Sequence, residues 1–93
     1  MEIKKLDNMF YIGEDATNRL AEITFIPTKE DVIVIDHTFV GDQLRGQGIA
    51  RKLVDKVVEY ARSENIKIYP MCSYAVKVLN ENDEYEDILS STY

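Results

Sequence analysis

Phe39-Val40-Gly41-Asp42-Gln43-Leu44-Arg45-Gly46-Gln47-Gly48-Ile49-Ala50-Arg51-Lys52-Leu53-Val54-Asp55-Lys56-Val57-Val58-Glu59-Tyr60 is the stretch on which the fold turns. An apolar strand ends at Phe39-Val40, a loop with two glycines spaced by one residue follows, and a helical pattern starts at once. Ile49, Leu53, Val54, Val57, Val58 and Ala61 recur at helical spacing, while Arg51, Lys52, Asp55, Lys56, Glu59 and Arg62 take the other side. The first N–H groups of such a helix have no acceptor within it. They converge, with the helix dipole, on a place that favours negative charge.

A lone Gly-x-Gly signals no more than a tight turn. Here Gly46 and Gly48 stand between a strand and an amphipathic helix, where glycine lets the backbone approach a ligand closely, and Arg45 and Arg51 add positive charge. That context favours a phosphate cradle. A dinucleotide fold would need parallel strands and a longer glycine fingerprint near the start of the chain, and a P-loop would end in Gly-Lys-Ser/Thr. Neither is present.

Upstream, Met9 to Glu14 reads as a short first strand and Arg19 to Pro27 as a longer one, with Ala21, Ile23 and Phe25 on one face and Leu20, Glu22, Thr24 and Ile26 on the other. Pro27 to Asp31 is a polar turn. Val32 to Val40 has the β-branched and aromatic content of a strand covered on both faces. A turn centred between Lys29 and Glu30 sets Glu22 opposite His37, and plain alternation puts His37 on one face with Ile33, Ile35 and Phe39. Downstream, the helix stops at Ser63-Glu64-Asn65, and Ile66 to Met71 forms another strand. Ser73 caps a second helix through Leu79, and Glu84 to Leu89 forms a last helical turn.

The 93 residues make a single domain, 1–93, with 11 basic and 17 acidic side chains and a net charge of -6. That balance argues against general binding to nucleic acid or an anionic membrane and favours a cationic or amine-bearing partner. The start is too polar for a signal peptide, and no apolar run approaches membrane-spanning length. The single cysteine cannot form an internal disulfide, which points to the cytoplasm.

The frames Gln43-Leu44-Arg45-Gly46-Gln47-Gly48 and Arg45-Gly46-Gln47-Gly48-Ile49-Ala50 resemble the pyrophosphate motif of the GNAT superfamily of acetyl-coenzyme A-dependent N-acetyltransferases. The resemblance runs from about Ile23 to Leu89. It is closest to the very small single-domain GNAT-like proteins, which have runs similar to Asp36-His37-Thr38-Phe39-Val40, Tyr69-Pro70-Met71-Cys72-Ser73-Tyr74 and Glu84-Tyr85-Glu86-Asp87-Ile88-Leu89. It implies an α/β fold: a mixed, mostly antiparallel sheet flanked by helices on both faces. It implies acetyl-CoA as cofactor, with the backbone from Arg45 to Ala50 on the pyrophosphate and the strand end Phe39-Val40 beside the pantetheine arm. It also implies a splay between that strand and the next, where the thioester lies. The acceptor helices of full-length relatives are missing, since only Asp15 to Asn18 is available between the first two strands.

Four residues are candidates for chemistry. Cys72 follows a strand and precedes a helix, where unpaired N–H groups favour a thiolate, and the resemblance sets it toward the thioester; otherwise it is a small buried apolar group. His37 and Glu22 form a candidate proton-accepting pair, although a lone imidazole is more often a packed core residue. Tyr74 is a candidate acid toward the coenzyme A thiolate, or a packed aromatic. The run Glu81, Asp83, Glu84, Glu86, Asp87 reads first as a solvated face and second as an attraction for a cationic acceptor. The expectation is N-acetyl transfer to an amine, through Cys72 or directly. The alternatives are a coenzyme A or acyl-coenzyme A binding module without efficient transfer, and an interaction domain that kept only the fold.

Overall fold

The computed structural model describes residues 2–29 and 31–91; Glu30, in the expected polar turn, lies outside them with Met1, Thr92 and Tyr93. Strands β1 (Lys4–Leu6), β2 (Met9–Gly13), β3 (Arg19–Lys29) and β4 (Val32–Val40) lead through a 3-10 turn (Asp42–Leu44) to helix α1 (Ile49–Glu64). Strand β5 (Lys67–Pro70), helix α2 (Ser73–Glu81) and a 3-10 segment (Asp83–Ile88) complete the chain. The five strands form one sheet in chain order, antiparallel except for the β4–β5 pair. The class read from the sequence, α/β with a mixed and mostly antiparallel sheet, is therefore the class observed.

The hairpin partner β1 was not expected. Its two-residue connection is Asp7-Asn8, and Asp7 takes a positive φ of 50°, a conformation that short polar side chains tolerate better than most. Such a turn lets Leu6 pair with Met9 directly.

Alternation along β3 holds: Ala21, Ile23 and Phe25 are buried while Leu20 and Ile26 are exposed. Strand β4 begins with Val32, Ile33, Val34 and Ile35 all buried, as a strand covered on both faces requires. The register then departs from the expected one. Phe25 pairs with Ile35 but Thr24 pairs with His37, so Asp36 is an extra residue, a bulge. The ladder already runs one position off the expected register before the bulge, with Phe25 opposite Ile35 instead of Val34, and Asp36 adds a second position, so Glu22 faces Phe39, not His37. The bulge also reverses the alternation beyond it. Ile33 and Ile35 stay in the core with α1, whereas His37 and Phe39 emerge on the opposite face with Thr24 and Glu22, and Thr38 turns toward the core side opposite Ile23.

Helix α1 is the crossover between the parallel strands, and its Leu53, Val54 and Val57 have no solvent exposure. It ends at Asn65, which adopts the left-handed conformation and returns its N–H to the carbonyls of Ala61 and Arg62. The expected stop is thus in place. Helix α2 stands at the β5 margin. Its Ala75, Val78 and Leu79 close the common core, while Val76 and Asn80 flank Tyr69, which leaves the sheet on the face opposite α1. Its N-cap is Cys72 rather than Ser73: the sulfur, not a hydroxyl, accepts the Ala75 N–H at 3.4 Å. Among the described residues no helix is long and apolar enough to cross a membrane.

Candidate functional site

The turn between β4 and α1 is built from two left-handed glycines, Gly46 at φ 80° and Gly48 at φ 72°. Gly48 is the N-cap of α1, whose first helical bond is Lys52 N–H to the Gly48 carbonyl at 3.2 Å. Among the described residues, no main-chain N–H from Gly46 to Arg51 has an acceptor. A Cβ added at Gly46 or Gly48 would meet nothing within 4 Å, so their backbone stands open to the outside. Leu44 anchors the loop by burial, Arg45 donates through its side chain to the Val40 carbonyl at 3.3 Å and pairs with Asp42, and the Gln47 side-chain amide donates to the Gln43 carbonyl at 3.3 Å. The loop is held by its side chains while its amides are left over, the condition for receiving an anion.

Next to it the sheet opens. Strands β4 and β5 pair only from Val32↔Lys67 to Ile35↔Pro70. The Ile35 carbonyl then accepts the N–H groups of both Met71, at 2.9 Å, and Cys72, at 3.2 Å, and the chain swings away into α2. Strand β4 continues from Asp36 to Val40 without a β5 partner. That leaves a backbone edge ready for an extended ligand, leading to the open amides of Gly46 to Arg51.

Cys72 sits at the point of divergence, partly buried, with Sγ 3.3 Å from Thr38 Oγ1. The sequence pointed to Cys72 but not to Thr38, because plain alternation assigns position 38 to the wrong face and only the Asp36 bulge brings its hydroxyl to the sulfur. Tyr74, in the first turn of α2, packs against the core.

Glu22 and His37 do meet, by a route other than the expected one. They are diagonal neighbours on the face opposite α1, with Nε2 3.5 Å from Oε2. Arg19 Nε also donates to Glu22, at 2.5 Å, leaving the Glu22 side chain 15% exposed and that of His37 55% exposed. Thr38 and Cys72 lie toward the core side, so the carboxylate–imidazole pair and the thiol approach β4 from opposite faces.

Arg51 carries its guanidinium to Tyr85 and Glu84. Its Nε donates to the Tyr85 hydroxyl at 2.9 Å, which in turn donates to Asp55 at 2.5 Å, and a second nitrogen reaches Glu84 at 2.8 Å. Burial, then the Asp55 bond, push Tyr85 up to about 12, against the opposing pull of Arg51. Arg62 and Asp87 form a further tie at 2.8 Å, and the Arg62 bond holds the Asp87 carboxyl below its ordinary value. The C-terminal 3-10 segment is thereby fastened to α1. The sequence signal was present: Tyr85 and Ile88, three apart within an acidic run, are the two buried positions.

The family model for the GCN5-related N-acetyltransferase matches residues 9–88. A small GCN5-like protein of Staphylococcus aureus, solved by NMR, is similar at 47% identity and a TM-score of 0.82, over 99% of this chain and 90% of that one. An acetyltransferase of the GNAT family from Staphylococcus aureus Mu50 shares the fold at a TM-score of 0.61 and 22% identity, over 81% of this chain and 50% of its own. Protein NATD1 of chicken and of mouse is 33% identical over 51 residues, 55% of this chain and 46% of theirs. The match thus spans about half the length of those curated relatives. With a family model covering most of the chain, and a near-complete match to the small staphylococcal protein, the chain belongs to the GCN5-related N-acetyltransferase family.

Proposed function

We propose that this chain binds acetyl-CoA and transfers its acetyl group to an amine, with Cys72 in reach of the thioester. The observation that carries the reading is the run of unpartnered backbone from β4 to α1: the open edge at Asp36 to Val40, then the free amides of Gly46 to Arg51. A pantetheine arm is an extended chain with amide groups, and a pyrophosphate needs several convergent N–H donors. The residues present fit both. In this reading Phe39 and Val40 pair with the arm, and Gly46, Gln47, Gly48, Ile49 and Ala50 supply amides to the phosphates. Gln43 shapes the loop, and Arg45 and Arg51 supply positive charge. Acetyl-CoA itself supplies an activated acyl carbon and a thiol leaving group.

Cys72 Sγ supplies the nucleophile. It loses its proton, bonds to the acetyl carbonyl carbon, and the thioester C–S bond breaks, with the coenzyme leaving as its thiol. The amine then takes the acetyl group and gives up a proton, restoring the Cys72 thiol. Thr38 holds the sulfur from one side and the α2 N-terminus from the other. In this reading Tyr74 gives a proton to the leaving thiolate and recovers the one that Cys72 lost. The alternative is direct transfer, in which Glu22 and His37 take the amine proton; their 3.5 Å approach favours keeping it. The net charge of -6 favours a cationic acceptor, and an unpaired thiol suits the reducing cytoplasm.

Incubation with acetyl-CoA alone, followed by intact mass measurement, tests the reading. One added acetyl group, removed on adding an amine, supports transfer through Cys72. Amine acetylation without an adduct selects the direct route. Binding without turnover on any amine leaves a binding module, and no binding at all leaves only the fold.

A further inference from the structure

Beyond Ile35, two registers compete for β4. Continued from Phe25↔Ile35 without a bulge, the ladder would set Thr24 opposite Asp36, Ile23 opposite His37, Glu22 opposite Thr38 and Ala21 opposite Phe39. That register sends His37 and Phe39 into the core, in alternation with Ile33 and Ile35. The observed register sends Thr38 and Val40 there instead and leaves Phe39 43% exposed. Apolar burial alone favours the first arrangement, because a phenylalanine removes more surface from water than a valine. Strand β5 does not choose between them, since its ladder with β4 stops at Ile35↔Pro70. Nor does the bond from Thr24 Oγ1 to the Asp36 carboxylate, because those two residues are neighbours in both registers.

The residue that decides is His37. Without the bulge its imidazole would stand opposite Ile23, which has no solvent exposure, in a core that holds no buried polar or charged side chain among the described residues. Burying an imidazole without a partner is costly. In the observed register the ring is 55% exposed, with Nε2 3.5 Å from the Glu22 carboxylate. We propose that His37 is a positioning residue for Cys72: by keeping its polar ring on the outer face beside Glu22, it holds the bulge at Asp36 and so keeps the Thr38 hydroxyl on the sulfur. The imidazole and the thiol approach β4 from opposite faces, so this influence runs through the strand register and the 3.3 Å contact of Thr38 with Cys72. Polarity at position 37 is what the role needs, not proton transfer. The proposal rests on the acetyl-transfer reading only for what Cys72 does once it is positioned.

The test reads side-chain proton contacts in the isotope-labelled full chain. Contacts of Thr38 with Ile23 and Cys72 mark the observed register, and contacts of the Phe39 ring with the Ala21 methyl mark the other. His37→Leu is expected to replace the first set with the second and to slow acetyl-adduct formation at saturating acetyl-CoA at least tenfold, while the amides of Gly46 to Arg51 still shift on coenzyme A titration. His37→Gln, polar but unable to take up a proton, is expected to keep the Thr38 contacts. If His37→Leu is unfolded, His37→Ala reads the same choice with Phe39 alone pulling the strand over, and both sets of contacts are expected together. Thr38 contacts kept in full by the apolar variant overturn the proposal. Their loss in His37→Gln also overturns it, as does an unchanged adduct rate once they are lost. The contacts are read on the free protein, so a wild-type chain that forms no adduct overturns transfer through Cys72, and the contacts then decide the register claim alone.

Discussion

Thr38 Oγ1 and Cys72 Sγ lie 3.3 Å apart across the gap between β4 and the start of α2, beyond the last pair of the parallel ladder. The contact exists because Asp36 bulges out of β4 and turns Thr38 toward the core side. If Cys72 is the nucleophile, Cys72→Ser should lose the acetyl adduct and nearly all turnover yet keep the fold, because a serine hydroxyl caps α2 at least as well as sulfur does. Thr38→Val should slow adduct formation severalfold without affecting coenzyme A affinity. Intact mass over time measures both, and an unchanged adduct rate in Thr38→Val would detach that hydroxyl from the chemistry.

Gly48→Ala and Gly48→Val should separate strain from ligand approach. Position 48 has a φ of 72° and no neighbour within 4 Å of an added Cβ, so alanine should cost about 1 kcal/mol of stability through conformation alone. Valine should cost more and should abolish coenzyme A binding, because its side chain occupies the open side of the loop. Thermal unfolding reads the first effect and calorimetric titration the second. Full coenzyme A affinity in Gly48→Val would move the phosphate elsewhere.

Most of the fold was legible because its signals are local. The period of Ile49 to Ala61, the glycines before it and Asn65 after it each act within a few residues. The meander followed from apolar alternation in β3 and continuous burial in early β4. The bulge was not legible. Asp36 differs from its neighbours in no way that marks an extra residue, and one inserted residue shifted every pairing beyond it, so His37 and Phe39 changed face. The Glu22–His37 contact survived only because diagonal neighbours on a sheet are also within reach of long side chains. Strand β1 was overlooked because Lys4-Lys5-Leu6 has too little apolar content, and its pairing rests on the turn at Asp7.

Glu22→Gln tests the direct route. If the pair accepts the amine proton, the variant should lose at least tenfold in kcat with KM for acetyl-CoA unchanged, and the loss should shrink as pH rises and more amine is already neutral. A variant with wild-type kcat across the pH range would assign Glu22 to holding Arg19 and His37 in place.

Tyr85→Phe should cost about 1 to 2 kcal/mol near neutral pH, through the lost bonds to Asp55 and Arg51. The alkaline limb offers a sharper readout. Tyr85 titrates at about 12 in the folded chain against 10.0 for the free group, so its contribution is complete below pH 10 and is lost as pH rises from 10 toward 12. Denaturant unfolding should show that slope in the wild type and a shallower one in Tyr85→Phe. Equal slopes would disconnect Tyr85 from the alkaline loss.

On the acid side, Asp87 has a lowered pKa through its bond from Arg62, so the stability it contributes is present above the ordinary value of 3.8 and fades as pH falls below it. Asp87→Asn should be less stable at neutral pH and should lose less on acidification. An acid limb identical to the wild type would place the sensitivity at other carboxylates.

The central claim is that the amides from Gly46 to Arg51 hold the pyrophosphate, and titration of isotope-labelled protein with acetyl-CoA, followed by amide resonances, tests it most directly. The largest shifts are predicted at Gly46, Gln47, Gly48, Ile49 and Ala50, with a second set along Thr38, Phe39 and Val40. Saturable binding that leaves the Gly46 to Arg51 amides unmoved would contradict the account.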